Sequence, residues 1–579
     1  MKKILLMICL VFIYVEGHSS TYYVSNSGSD SYAGSEVAPW ETIAKVESSA
    51  GANDKVYFNQ ADKWRDQLTV PASNMTFGAY GTGAKPIISG ADLMIDLTLE
   101  ADNVWCTPTA ITPGQVFFDG NPGSEEATKA TLDTALEWAY EYPNSLHFYS
   151  AGPTTEYTNP GIEAAQRDYG IDFDPGTDYV TIAGLQTEKC NATGIYMYAH
   201  VDTMSNINIQ NITSTQNVDV GVVFSSWGAT IHDCSIRDSV VSYNGATGIH
   251  FGSVSVNCTA DNNVVHNNAQ LMGVNYTSGI RSCCVSGNCN GIVFSNNHVY
   301  LNGKDDDGNS IVSGSRGHGL WFDTTTDANG HSDVMRYNIV RDNLGQGIRI
   351  EKSSNTDVYY NLVYNNSVGI HLYQHLDGNE VFNNVFCGNT CGIAIEGDNT
   401  ADDVINNLIK NNISIESTST EFIAKYGAEN DGVVGYGNLY SNNCFGEESS
   451  NFVMWGNGSY HSAYDAWISA CDTTPTGACD NLVQAAPRFK DAANDDFRLR
   501  WGSPCIDTGY NNGEDHDDAL DPRDYVFPYD TLDQDNYGPW DIGAFVYRRR
   551  YNIGKRIKDT YMKMGLGLLV EEPMFCILP

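Results

Sequence analysis

Charged and aromatic side chains recur at one position of a repeated strand pattern in this chain. Each copy begins with Gly and a buried apolar residue, and the next residue faces outward; in order, these residues are Tyr196, Val223, His250, Arg281, Trp321, Arg349, His371 and Ala394. Two positions further on, the same face carries Asp323, Glu351, Tyr373 and Glu396. We call these two sets the inner row and the outer row, and we predict a functional site along them.

Sugar cleavage is the chemistry that this mixture suggests. Asp323 and Glu351 should stack on adjacent turns, about 5 Å apart. That separation fits a retaining glycosidase, in which one carboxylate attacks the anomeric carbon and the other protonates the leaving oxygen. Mutual repulsion would favour a proton on one of the two. The predicted catalytic residues are Asp323, Glu351, Arg349, His371 and Lys352.

A polysaccharide lyase is the first alternative. Lys352 or His371 would remove the proton α to a uronate carboxylate. Arg349, Arg281 or a Ca²⁺ ion held by the carboxylate pair would neutralise that carboxylate. The hydrolase needs no cofactor, and Ca²⁺ is the metal that the lyase reading allows.

Substrate contacts are expected from four residues, and metal contacts from one acidic loop. Flat apolar faces of Trp321 and Tyr373 suit the C–H face of a sugar ring. The predicted substrate-binding residues are His250, Arg281, Trp321 and Tyr373. The sequence Asp305-Asp306-Asp307-Gly308-Asn309 has the alternating oxygen ligands of a calcium loop, and the candidate ligands are Asp305, Asp307 and Asn309. The twelfth position of this loop is arginine, however. A solvated acidic loop explains the sequence equally well.

Two readings without chemistry stay open. The rows could be an ion-pair ladder that separates stacked like charges. The chain would then be a non-catalytic glycan-binding, spike or surface protein.

Repeated Asn residues predict the elements that position the two rows. Asn or a substitute, followed by an apolar pair, recurs at Asn211, Cys234, Asn263, Asn297, Asn338, Asn361, Asn384 and Asn407, with spacings of 23, 29, 34, 41, 23, 23 and 23 residues. A period of about 23 residues rich in Asn, Gly and β-branched residues predicts an all-β parallel solenoid. We expect Asn263, Asn297, Asn338, Asn361, Asn384 and Asn407 to stack in one corner, and Gly to permit a bend before each outward-facing strand.

Longer spacings place loop insertions in three consecutive rungs. Insertions in a solenoid usually wall its binding groove. We therefore expect a cleft bounded by residues 239–248, 268–279 and 302–319 and floored by Arg281, Trp321 and Arg349.

Composition restricts the class of protein further. The chain has 579 residues, 41% hydrophobic and 18% charged, with a formal net charge of −39. Such acidity excludes a nucleic-acid binder. Residues 1–17 resemble a signal peptide and no later segment suggests a membrane span, so a secreted or periplasmic monomer is expected. Export would allow disulfides at Cys284/Cys289, Cys387/Cys391 and Cys471/Cys479.

The two ends of the repeat region carry a family resemblance. Residues 21–30, Ala38-Pro39-Trp40 and 77–81, together with Gly502-Ser503-Pro504-Cys505 and Asp541-Ile542-Gly543, look like the ends of secreted right-handed parallel β-helix proteins of the pectin-lyase-like superfamily. This resemblance implies a right-handed β-helix, and a superfamily that includes lyases, hydrolases, epimerases and spike proteins. The expected divisions are 21–165 (cap and first coils), 166–445 (regular rungs with the cleft), 446–547 (last coils and cap) and 548–579 (a basic and apolar tail).

Overall fold

The computed structural model is a right-handed parallel β-helix built from three long sheets, as predicted. It describes residues 19–548 except 272–275, 285–288, 315, 326–331, 399–401, 457, 472–477, 514–515 and 525. The signal-peptide and tail predictions therefore lie outside the described residues. Each rung passes through sheets A, B and C in turn.

Sheets A and B form two sides of the helix. The twelve strands of sheet A are Thr21–Val24, Lys55–Asn59, Thr76–Tyr80, Thr181–Ala183, Asn208–Gln210, Ser235–Arg237, Thr259–Asp261, Val293–Ser295, Asp333–Arg336, Thr356–Tyr359, Glu380–Phe382 and Leu408–Lys410. The eleven strands of sheet B are Lys63–Trp64, Ile87–Ser89, Gln186–Glu188, Thr213–Thr215, Val240–Ser242, Val264–His266, His298–Tyr300, Ile339–Arg341, Leu362–Tyr364, Val385–Cys387 and Ile413–Ile415.

Sheet C carries the inner and outer rows. Its thirteen strands are Leu68–Val70, Tyr169–Phe173, Thr193–Ala199, Val222–Ser226, Ile249–Gly252, Ser278–Cys283, His318–Asp323, Gln346–Glu351, Val368–Tyr373, Cys391–Glu396, Thr420–Lys425, Val453–Trp455 and Ser459–His461, of which the last is antiparallel. Short strands between sheets C and A are Met204–Ser205, Ile231–His232, Ser255–Val256, Leu376–Asp377, Val404–Ile405 and Gly435–Tyr436.

Asparagine ladders run along the corners, with one correction to the predicted register. At the corner between sheets A and B, Asn338 donates its backbone N–H and its amide Nδ2 to Oδ1 of Asn361, at 3.0 and 2.9 Å. The same bonds continue from Asn361 to Asn384, and then to Asn412. Asn407 instead accepts from Asn379 in the ladder at the start of sheet A. Five of the six predicted residues stack, and the prediction for Asn407 is wrong.

The corrected register changes the rung lengths. Successive ladder positions from Ile212 to Asn443 are 27, 24, 34, 41, 23, 23, 28 and 31 residues apart. Long insertions thus fall in two consecutive rungs, between Asn263 and Asn338, and not in three. Both lengthen the connection from sheet B to sheet C.

Glycine at the start of the Gly-Ile strands of sheet C serves close packing and not a bend. A Cβ on Gly347 would lie 2.5 Å from Cγ1 of Val363, 2.8 Å from Nδ2 of Asn366 and 2.9 Å from the carbonyl oxygen of Gly369. Gly248 and Gly319 have equivalent contacts, and none of the three has a positive φ. The predicted reason for this glycine was therefore wrong, although its position is fixed.

An antiparallel module is inserted between sheets B and C near the N-terminus. Its strands are Ala91–Leu93, Thr98–Ala101, Val104–Pro108, Val116–Phe118, Asn121–Pro122, Ser124–Glu125, Glu137–Glu141, Ser145–Tyr149 and Ile162–Ala165, with helical turns at Lys129–Thr131 and Pro153–Glu156. It has its own apolar core around Phe118, Trp138 and Phe148. The coils expected before residue 165 are thus interrupted by a separate small fold.

Helices and a C-terminal strap close the ends. Ile43–Ser49 covers the first rungs and Tyr464–Cys471 the last. The strap, residues 486–548, contains Phe489–Asp491, Ala492–Asn494, Asp496–Leu499, Asp518–Leu520, Thr531–Asp533 and Gln534–Asn536. Its Leu520, Ile542 and Phe545 pack with Leu362 and Val385, which belong to sheet B. Sheet C is therefore on a different side from the strap.

Cysteine pairing agrees with two of the three expected disulfides. Cys284–Cys289 and Cys471–Cys479 are disulfide-bonded. Cys387 and Cys391 are free thiols on strands of different sheets, so the third prediction is wrong.

Candidate functional site

Side-chain rows on sheet C form as the sequence pattern predicted. His250, Arg281, Trp321, Arg349, His371 and Ala394 occupy successive rungs in direct register. The outer row is in register in the same way, and the structure extends it by one residue at each end. Its residues are Cys283, Asp323, Glu351, Tyr373, Glu396 and Lys425. Asp323 and Glu351 are therefore direct neighbours on adjacent strands, about 5 Å apart along the backbone.

Asp323 is held by three donors. Nη2 of Arg281 lies 2.7 Å from its Oδ2, and the thiol of Cys283 donates to the same oxygen at 3.3 Å. The hydroxyl of Thr324 donates to Oδ1 at 3.0 Å. The carboxylate is only 16% exposed, so these contacts fix its orientation.

Glu351 has one partner and one free oxygen. Nε of Arg349 donates to Oε2 of Glu351 at 2.9 Å, and the two side chains are 10% and 14% exposed. No residue that the structure describes donates to Oε1. The two carboxylates thus share a strand position but differ in how strongly they are held.

His371 belongs to a chain of polar contacts that the sequence reasoning found only in part. Its Nε2 lies 2.8 Å from Oε1 of Glu396, whose Oε2 contacts Nζ of Lys425 at 2.5 Å. Burial, followed by the nearby Arg349 cation, lowers the pKa of His371 to about 3. The imidazole is therefore neutral, and its buried Nδ1 makes no hydrogen bond. Lys425 was missed because Glu421-Phe422 replaces the Gly-Ile signature in its rung.

Trp321 does not offer the open face expected of a sugar-stacking residue. Its ring is 1% exposed, with the guanidinium of Arg281 at 4.1 Å from the centroid and that of Arg349 at 5.1 Å. His318, which sequence reasoning missed, packs edge-on against it at 5.1 Å. The predicted contact between Trp321 and substrate is therefore wrong. Tyr373, half-buried and 5.5 Å from the Arg349 guanidinium, is the more accessible aromatic ring.

His250 and Lys352 lie at the margins of the site. Burial, followed by the Arg281 cation, lowers the pKa of His250 to about 3. Its Nε2 is buried and makes no hydrogen bond. Lys352 is an exposed corner residue with φ of +48°, and its backbone N–H donates across to Tyr373 and Gln374. It therefore lies at the turn that follows the outer row.

The acidic loop at Asp305 closes on itself. Asn309 donates its backbone N–H and its amide Nδ2 to the two carboxylate oxygens of Asp305, at 2.7 and 3.0 Å. Asp307 is exposed. The loop thus uses an Asn nitrogen where a calcium loop would use its oxygen, and the calcium prediction gains no support.

Two cavities lie away from the inner and outer rows. A small cavity of about 90 Å³ is bounded by Tyr243, Gly245 and Leu271, from two of the predicted loops, and by Phe117 of the module. A larger groove lies in the C-terminal strap. Neither is floored by Arg281, Trp321 or Arg349, and part of the loop region, 272–275 and 315, is outside the described residues.

A family model matches one part of the chain. It is described as "Periplasmic copper-binding protein (NosD)" and matches residues 309–444, about a quarter of the sequence. Copper sites use His, Cys or Met ligands. Among the described residues, one group of three His, Cys, Asp or Glu side chains has its ligand atoms close enough together to hold a metal ion. It consists of Asp517, Asp533 and Asp535, which lie outside that segment. The described residues of 309–444 therefore do not contain a group of three His, Cys, Asp or Glu side chains that could hold copper.

Solved structures share the fold at low identity. The xylose complex of XylC matches with a TM-score of 0.50 and 13% identity, covering 68% of this chain and 75% of that one. The pectate lyase Pel9A has a TM-score of 0.45 and 13% identity, with 92% and 97% covered. The A-module of the Azotobacter vinelandii mannuronan C-5 epimerase AlgE6 has 0.40 and 14%, with 77% and 94% covered. A search of the curated proteins finds no match.

Proposed function

We propose that this protein is an exported glycoside hydrolase that cleaves a polysaccharide on the outward face of sheet C. The observation that carries the proposal is the register that places Asp323 and Glu351 on adjacent strands of one face. Backbones of paired strands lie about 5 Å apart, and this spacing is compatible with the carboxyl separation of a retaining glycosidase. Both carboxylates are largely covered by their partners, at 16% and 14% exposed.

Different surroundings suggest different roles for the two carboxylates. Three donors hold the carboxylate of Asp323 in one orientation, which suits a nucleophile that attacks the anomeric carbon. Glu351 has a free oxygen that can carry and deliver a proton to the leaving group. Arg349, bonded to the other oxygen, positions Glu351, and Tyr373 beside it offers a ring to a sugar.

Charge balance favours a neutral glycan over a uronate polymer. The two rows contain the cations Arg281, Arg349 and Lys425, and each is paired with one of the carboxylates Asp323, Glu351 and Glu396. A lyase needs an unpaired cation or a metal ion to neutralise the uronate carboxylate. Both arginines named for that role are already paired, and the predicted bases are a corner lysine and a histidine whose free nitrogen is buried.

Export is proposed from the disulfides and from the description of the matching family. The two disulfides fit an oxidising compartment. The family that matches residues 309–444 is described as periplasmic. No helix in the described part of the chain has the length and apolar character needed to cross a membrane.

Product chemistry separates hydrolysis from elimination. We expect the purified protein to release reducing ends from at least one neutral polysaccharide in a panel, without absorbance at 235 nm from an unsaturated product. NMR of the first product should show retained anomeric configuration, because of the carboxylate separation. Inverted configuration would contradict the assigned roles, and unsaturated products from a uronate polymer would establish the lyase instead.

Non-catalytic glycan binding is the second candidate. The observation in its favour is that every charged side chain of the two rows has an oppositely charged or imidazole partner, as in a purely structural ladder. Binding of a panel glycan without any bond cleavage after prolonged incubation would support this candidate over the hydrolase.

A further inference from the structure

A basic groove lies in the C-terminal strap of this strongly acidic protein. Its lining includes Lys490, Arg500, Arg523 and Arg548, together with the aromatic residues Trp501 and Tyr547, and no acidic side chain. We call it the cap groove. Its volume of about 1170 Å³ exceeds that of most small-molecule pockets, so it has room for a segment of a polymer.

The basic residues of the cap groove are only partly neutralised. Arg523 pairs with Asp521 at 2.7 Å, and Arg548 lies 3.9 Å from the same carboxylate. A single carboxylate therefore serves both arginines. Nη1 of Arg548 is buried and makes no hydrogen bond with the residues that the structure describes. Arg500 is exposed, and its guanidinium contacts the Lys490 carbonyl oxygen. These cations are available to an anion.

An exposed ring completes the groove. The side chain of Trp501 is 85% exposed, although a side chain this large and apolar is usually covered in a folded protein. Flat indole faces pack against the C–H faces of sugar rings, and guanidinium groups bind carboxylate or sulfate oxygens bidentately. An anionic sugar polymer combines both kinds of group.

We propose that the cap groove binds a segment of an anionic polysaccharide, with its carboxylate or sulfate groups on Arg500, Arg523 and Arg548 and a sugar ring on Trp501. The concave shape favours a polymer chain over a flat membrane surface. This binding is independent of the chemistry proposed for sheet C. Binding at the cap groove would hold the protein on an anionic polysaccharide. Sheet C would meanwhile cleave a neutral polysaccharide.

Calorimetry of the full chain with oligogalacturonides tests the proposal. We expect binding at 50 mM NaCl that weakens at least tenfold at 500 mM, because exposed contacts between guanidinium and carboxylate groups are screened by salt. Trp501→Ala and Arg500→Gln should each weaken binding about tenfold or more. Both residues are exposed, so the unfolding midpoint should stay at the wild-type value.

Two controls make the result specific. Arg237→Gln removes the same charge from an exposed arginine on sheet A and should leave affinity unchanged. Glu351→Gln should also leave it unchanged, which separates the cap groove from sheet C. Absence of binding by the wild type, unchanged affinity in both groove variants, or retention on phosphatidylglycerol vesicles without oligogalacturonide binding would overturn the proposal.

Discussion

Asp323 and Glu351 occupy equivalent strand positions, yet their neighbours make them chemically different. The difference comes from Cys283 and Thr324, which donate to Asp323 and have no counterpart on Glu351. An arginine two residues earlier on the same strand contacts Glu351, whereas the arginine that contacts Asp323 lies on the preceding rung. Roles in a symmetric-looking row are thus assigned by contacts between rungs.

Buried histidines make stability depend on pH. The pKa of His371 is about 3 in the folded protein, chiefly because of burial, while an imidazole in the unfolded chain titrates near 6.5. Between these values the unfolded state binds more protons, so stability should fall as the pH is lowered from about 6.5 towards 3. Above pH 6.5 this residue adds no pH dependence.

Urea unfolding at pH 7 and pH 4.5 measures this effect. The loss of unfolding free energy between the two pH values should be smaller in His371→Gln than in the wild type, by up to roughly 2–3 kcal/mol. His200→Gln changes an exposed histidine and serves as the control. Equal losses in the wild type and His371→Gln would show that His371 is not held neutral in the folded state.

Much of the candidate site could be predicted because strand alternation fixes which residues share a face. Rung spacing then fixed the neighbours, so the pairing of Asp323 with Glu351 followed from the sequence. The burial of Trp321 could not be predicted, because it depends on how Arg281 and Arg349 fold over the ring from adjacent rungs. The contact of Lys425 with Glu396 could not be predicted either, because the rung of Lys425 lacks the Gly-Ile pattern from which the register is read.

At the scale of the elements, most regular rungs are fixed by Asn residues at the corners and by a Gly that faces the Asn between sheets B and C. The Asn amide satisfies backbone groups of neighbouring rungs, and the Gly leaves room for that amide. Asn407 was assigned to the wrong corner because it is followed by the apolar pair Leu408-Ile409, whereas Asn412, which holds the ladder position, is followed by Ile413-Ser414. Local sequence cannot distinguish those corners, whereas hydrogen bonds between rungs can.

Replacement of Gly347 by Ala tests the packing role of this glycine. The added methyl group would meet Val363, Asn366 and the backbone of Gly369 at less than 3 Å, so we expect a loss of at least about 1–3 kcal/mol in unfolding free energy. Gly51→Ala is the matched control, because a Cβ there has no atom within 4 Å. Chemical denaturation of both variants gives the comparison, and equal stability would refute close packing at Gly347.

In the whole molecule, the segments outside the regular rungs lie on particular sides of the β-helix. The antiparallel module and both long insertions emerge between sheets B and C, while the strap packs with sheet B residues. The repeat predicted the helix itself. Neither addition repeats, so neither the module fold nor the packing of the strap was apparent from the periodicity.

Cleavage by sheet C is the central claim, and the activity of Glu351→Gln relative to Glu36→Gln tests it most directly. Glu36 is an exposed carboxylate near the N-terminus, so its variant controls for charge removal. On the neutral polysaccharide that the wild type cleaves, Glu351→Gln and Asp323→Asn should each lose at least about 10²-fold in kcat/KM, with unfolding midpoints unchanged. Full activity in Asp323→Asn and Glu351→Gln would contradict the account and place the reaction elsewhere on the molecule.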